Sequence, residues 1–156
     1  MSTRAFIIGI DPGTAMGWAV LDRDGARLAS GVLDLSSRRH EGGGMRYVRA
    51  RRRLAELLEA CPVEALAYEE VARHRGTAAA HVYGGLVAVI TGLCEEHKVP
   101  YQGMSVGTVK RIATGSGNAS KEMMQAAARS RWPEVGDVGP DEADALWIAE
   151  TWRVQG

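Results

Sequence analysis

The chain has 156 residues, 46% of them apolar and 24% charged, with a formal net charge of zero and a mean hydropathy of −0.16. This is the make-up of a soluble globular protein, and the length predicts one domain, residues 1–156, with a core that needs no staples. Cys61 and Cys94 supply no disulfide framework and predict reduced thiols in a cytoplasmic compartment. The longest apolar stretch, Gly84 to Cys94, is eleven residues, short of the ~20 that a membrane helix takes, so a membrane protein is excluded.

The basic residues are 16 Arg and 3 Lys, and seven Arg fall between Arg38 and Arg53 with only Glu41 against them. Arginine is the better bidentate phosphate ligand, although a high Arg/Lys ratio also follows from genome composition alone.

Ala5–Ile10, closed by Asp11-Pro12-Gly13, predicts a fully buried strand. Gly17–Asp22 and Arg27–Asp34 predict two more, joined by the turn Arg23-Asp24-Gly25 in an antiparallel start. After Gly42-Gly43-Gly44 the pattern is helical from Met45 to Cys61. Tyr47, Ala50, Leu54, Leu58 and Cys61 share one stripe, with Arg46, Arg49, Arg52 and Arg53 pointing the other way. Glu64–Glu70 predicts a strand, and about Gly76 to His97 a long helix. In that helix Gly76, Ala80, Gly84 and Ala88 recur every four residues, a surface that admits another helix either in the core or across a dimer seam. Pro100–Ser105 predicts a fifth strand, followed by helices over Val106 to Ala113, Ser120 to Trp132 and Pro140 to Arg153. The order predicts an α/β chain with a mixed five-stranded sheet flanked by helices.

Four carboxylates stand out because each ends or opens an element that could meet the others at one place. Asp11 follows the first strand; alone, it is a turn residue before Pro-Gly. Glu69 and Glu70 end the fourth strand, where neighbours face opposite ways, so only one joins Asp11. Asp141 and Asp144 open the last helix at i and i+3, on one face. Asp141 also suits the helix dipole, whereas Asp144 is deeper and runs into Ala145-Leu146-Trp147-Ile148, where an unpaired carboxylate is costly without a cation. Such an oxygen set suits two Mg²⁺ or Mn²⁺ ions, which together activate water on one side of a phosphodiester and stabilise the leaving oxygen on the other. The four histidines form no zinc pair, and no P-loop motif occurs.

Gly9-Ile10-Asp11-Pro12-Gly13-Thr14 with Gly17-Trp18, then Tyr68-Glu69-Glu70-Val71, then Asp141-Glu142-Ala143-Asp144-Ala145-Leu146 resemble, in order and across nearly the whole chain, the RuvC family of Holliday-junction resolvases. A phage-type member is one form this takes. The resemblance implies an RNase H-like fold, a homodimer, and metal-dependent nicking of opposed strands in a four-way DNA junction, with a branch-migration partner left open. It implies Asp11, Glu69, Asp141 and Asp144 as metal ligands, Asp141 being the less certain because some members carry histidine there. It also puts Lys110 and Lys121, two of the three lysines, on phosphates near the scissile bond, Lys121 among the catalytic groups.

Ala72 stands where many members have an aromatic side chain that wedges into junction bases. Arg73, His74 and Arg75 follow it and stack on bases, bind phosphate, or form an ordinary charged loop. Arg49 and Arg52 are expected on a DNA arm or on a solvated face. Other readings are a YqgF-type RNA nuclease of the same fold and a non-cleaving branched-DNA-binding protein. An actin-like ATPase lobe would also carry Asp11-Pro12-Gly13-Thr14 but needs a second lobe.

Overall fold

The computed structural model describes residues 5–74 and 76–156. Strands β1 (Phe6–Asp11), β2 (Ala15–Asp22) and β3 (Arg27–Asp34) form an antiparallel meander. After helix α1 (Met45–Ala60), strand β4 (Val63–Glu70) returns parallel to β1. Helix α2 (Thr77–Glu96) then leads to β5 (Tyr101–Ser105), parallel to β4. The sheet order is β3-β2-β1-β4-β5. Three helices complete the chain: α3 (Val106–Thr114), α4 (Lys121–Arg131) and α5 (Pro140–Gln155), with a 3-10 turn at Pro133–Val135 before the last.

β1 reads as a continuous apolar run because both its faces are covered. Ile8 and Ile10 pack with Leu54 of α1 and with Leu86 and Ile90 of α2. Ile7 packs on the other side with Leu21, Leu146 and Ile148. Each such fully buried aliphatic side chain contributes about 1.5–3 kcal/mol. The helix ends follow local chemistry. Ser105 and Ser120 cap α3 and α4 by accepting from the backbone N–H of Thr108 and Met123. Gly115 closes α3 in the left-handed conformation at φ 84°.

One of two alternatives is removed here, and one count is corrected. The repeating small residues of α2 do not face the core: Leu86, Ile90, Leu93 and Cys94 do, while Gly84 and Ala88 are exposed. A Cβ on Gly84 would meet nothing within 4 Å. Both faces of this helix are apolar, so composition did not say which one is inside. The eleven-residue count also understates α2, a 20-residue helix holding an 18-residue stretch of mean hydropathy 1.5, by length and composition enough to cross a membrane. His81 and Tyr83 break the run without breaking the helix. What α2 does in this fold is pack its Leu86–Cys94 side onto the sheet.

Candidate active site

Asp11 is the last residue of β1, only 9% exposed, and pairs with Gly17 of β2. On its other side β1 runs in register with β4, Gly9 beside Ala67 and Ile10 beside Tyr68, which brings Glu69 next to Asp11. Side chains alternate along a strand, so Asp11 shares the α5 face with Ile7 and Gly9, and Glu69 shares it with Ala67. The two carboxyls are close enough for Glu69 to push the Asp11 carboxyl up. Glu70 turns to the opposite face, where it sits against Gly103 and raises the Tyr68 phenol after burial has already done so. Of the two neighbouring glutamates, Glu69 is therefore the one beside Asp11.

Helix α5 reaches this point because two glycines let it in. A Cβ on Gly9 would stand 2.7 Å from the Ala149 nitrogen, and one on Gly17 2.5 Å from the carbonyl carbon of Asp141. Glu142, next in sequence, accepts a 2.6 Å hydrogen bond from the Ser30 hydroxyl of β3, which itself accepts one from Arg27. The first turn of α5 is thus held to β2 and β3, and Asp141 and Asp144 are carried to the end of β1.

The electrostatics show four carboxylates in one cleft. Burial holds the Asp11 carboxyl well above the usual carboxylate range, and Glu69, Asp144 and Asp141 push it the same way. Asp144, half-buried, is pushed up to about 7, first by burial and then by the charges of Glu69 and Asp141; Lys110 and Lys121 pull against this. Among the described residues no three acidic, histidine or cysteine side chains close onto a single ion. Lys121 opens α4 directly after the Ser120 cap, and Lys110 lies on α3, so the Gly115–Asn118 loop between them sets their separation. An all-oxygen donor set, partly desolvated and self-repelling, fits hard divalent cations.

The arginines divide. Arg49 does not face solvent: its guanidinium makes 2.8 Å contacts to both carboxylate oxygens of Glu41 and donates to the Ser36 carbonyl. Only 12% of its side chain is exposed. Of the two places expected for Arg49, a DNA arm or a solvated face, the solvated face is corrected accordingly. The chain leaving β3 folds back along α1, and a helical projection of α1 does not contain that loop. Arg46 likewise donates to the Leu35 carbonyl and the Ser37 hydroxyl, and Arg53 lies over the Trp18 ring. Arg52 and Arg73 are exposed. Arg75 lies outside the described residues.

Tyr83, which the sequence reading passed over, donates from its hydroxyl to the Glu69 carbonyl at 2.9 Å and accepts from the Val71 N–H at 3.1 Å. His74 rests against its ring at 4.8 Å. On this α1–α2 side of the sheet, a cavity of about 470 Å³ is lined by Pro12, Gly13, Thr14, Arg46, His74 and Tyr83, among others.

The family model described as "Crossover junction endodeoxyribonuclease RuvC" matches residues 7–152. Crossover junction endodeoxyribonuclease RuvC of Cereibacter sphaeroides is 31% identical over 150 residues, covering 92% of this chain and 86% of the relative. That of Gluconobacter oxydans is 32% identical over 149 residues, with the same coverage of each chain. Thermus thermophilus RuvC, solved in complex with a Holliday junction substrate, superposes with a TM-score of 0.82 at 28% identity, covering 94% of this chain and 92% of that one. With the mixed five-stranded sheet of an RNase H-like fold beneath it, the chain belongs to the RuvC family of crossover junction endodeoxyribonucleases.

Proposed function

We propose that the protein resolves four-way DNA junctions by hydrolysing one phosphodiester in each of two opposed strands, with two divalent cations, Mg²⁺ or Mn²⁺, at each active site. The observation that carries this is the buried Asp11 carboxyl with Glu69, Asp141 and Asp144 around it. Those four would hold the cations. Bound there, such a pair supplies the positive field that activates a water near neutral pH and offsets charge on the leaving oxygen, giving 5′-phosphate and 3′-hydroxyl ends.

The chain's own groups do the rest. Asp11 is anchored by its ladder to Gly17 of β2 and defines the floor of the cleft. Lys121 offers an ammonium to the negative charge that builds on the phosphoryl oxygens, and Lys110 binds a phosphate beside it. Arg52 and Arg73, both exposed, are assigned to flanking phosphates, as is Arg75. The small-residue face of α2, exposed at Gly84 and Ala88, is assigned to a two-fold seam with a second copy. The dimer then presents two sites with the symmetry of a four-way junction. This work is done on DNA in the cytoplasm.

The test is cleavage of labelled four-way junction, fork, linear duplex and RNA–DNA hybrid with Mg²⁺ or Mn²⁺ against EDTA, beside Asp144→Asn. Symmetric metal-dependent nicks in the junction, lost in a variant that still binds it, are expected. Binding without cleavage would reduce the protein to a junction-binding module. Cleavage of RNA or hybrid alone would overturn the substrate.

A further inference from the structure

We propose that Tyr83 is a positioning residue for Glu69: its hydroxyl holds the last peptide units of β4 and so sets where the Glu69 carboxylate stands. The proposal rests on Glu69 being a cation ligand, as assigned above. Pairing of β1 with β4 ends at Ile10 and Tyr68, whereas β4 continues beside β5 to Glu70 and Ser105. Glu69, the residue that must meet Asp11, therefore sits at the end of one ladder. Its carbonyl and the Val71 N–H are two residues apart and so share an edge of the extended chain.

Tyr83 serves both groups at once, donating to the carbonyl and accepting from the N–H. One hydroxyl thus does what a further strand residue would do. It comes from α2, across the sheet from the carboxylates, so it holds Glu69 through the backbone and touches no reacting group. His74 braces its ring on one side. Without the hydroxyl, Glu69 keeps its chemistry and loses its fixed place.

The experiment compares wild type, Tyr83→Phe and Glu69→Gln by Mn²⁺ titration, read as the rise of the thermal midpoint and by calorimetry. The midpoint in EDTA and junction affinity in EDTA are measured alongside. Tyr83→Phe is expected to need about 10-fold more Mn²⁺, the range found for partners that orient metal ligands, with both EDTA readings unchanged. A wild-type Mn²⁺ curve in Tyr83→Phe, beside a displaced one in Glu69→Gln, overturns this inference alone. A lowered EDTA midpoint with an unchanged Mn²⁺ curve also overturns it, since the hydroxyl then only supports the fold. A wild-type curve in Glu69→Gln removes the assignment of Glu69 itself, and this proposal with it.

Discussion

Gly17 has no side chain at the place where the backbone of Asp141 crosses β2, and a Cβ there would run into the Asp141 carbonyl. Because Gly17 is also the ladder partner of Asp11, one missing methyl group lets Asp141 approach Asp11. Gly17→Ala should therefore cost about 1–3 kcal/mol of stability through overpacking. Junction cleavage by the folded protein should also fall, by ~10²-fold, as the first turn of α5 is displaced. Gly42→Ala, where a Cβ meets nothing within 4 Å, is the control. Thermal midpoints and single-turnover rates decide the matter.

Asp144 links activity to stability with a definite sign. Its carboxyl, pushed up to about 7, binds a proton more tightly folded than unfolded. The stability it allows is complete below the unfolded value near 4 and is lost as pH rises toward 7. In EDTA, wild type should fall behind Asp144→Asn across that window. At pH 8 the variant should melt roughly 3–8 °C higher while cleaving nothing. Melting curves at five pH values would show it; parallel curves would contradict it.

Lys121 lowers the Asp144 carboxyl and stands at the start of α4. Lys121→Gln should slow cleavage by ~10²–10³ with little loss of junction affinity, since its charge acts on the developing negative charge. Gel shifts and cleavage rates on one junction separate the two effects.

Arg49 and Arg52 should behave differently despite being three residues apart. Arg52→Glu is expected to flatten the slope of log affinity against log salt by about one unit, as for a lost phosphate contact. Arg49→Ala should leave the slope alone and lower the thermal midpoint. Arg49's hydrogen bond holds the Glu41 carboxyl below its usual range. That contribution is present above the ordinary carboxylate pKa and lost as pH falls, so the midpoint gap between wild type and Arg49→Ala should close toward pH 3.

The seam assigned to α2 has a direct test. Gly84→Leu puts a large side chain where this chain itself has room. Light scattering should report a monomer with an intact fold, and opposed nicks should lose their coordination. A dimer that tolerates the change would move the interface elsewhere.

The element order was legible because hydrophobic period and turn residues agree: Arg27–Asp34 and the start of α5 at Pro140 fall where patterning puts them. The carboxylate cluster was legible for a similar reason, since strand ends and an i, i+3 pair are local features. Arg49 was not. Its partner Glu41 sits on a loop whose course is set by Leu35, fully buried and tied by its N–H to the Thr14 carbonyl. Tyr83 was not either, because nothing in the spacing of a helix tells which strand end a hydroxyl will meet.

The cleft draws its acids from both ends of the chain, and α5 packs against β1, β2 and β4 as the centre of one of the two cores. A polypeptide emerging from the ribosome therefore carries Asp11 and Glu69 long before Asp141 is made. Until the final helix docks, the nascent enzyme has neither a finished interior nor a complete set of acids. A product that stops short of residue 140 should cut no junction, because half of the acidic set is missing from it.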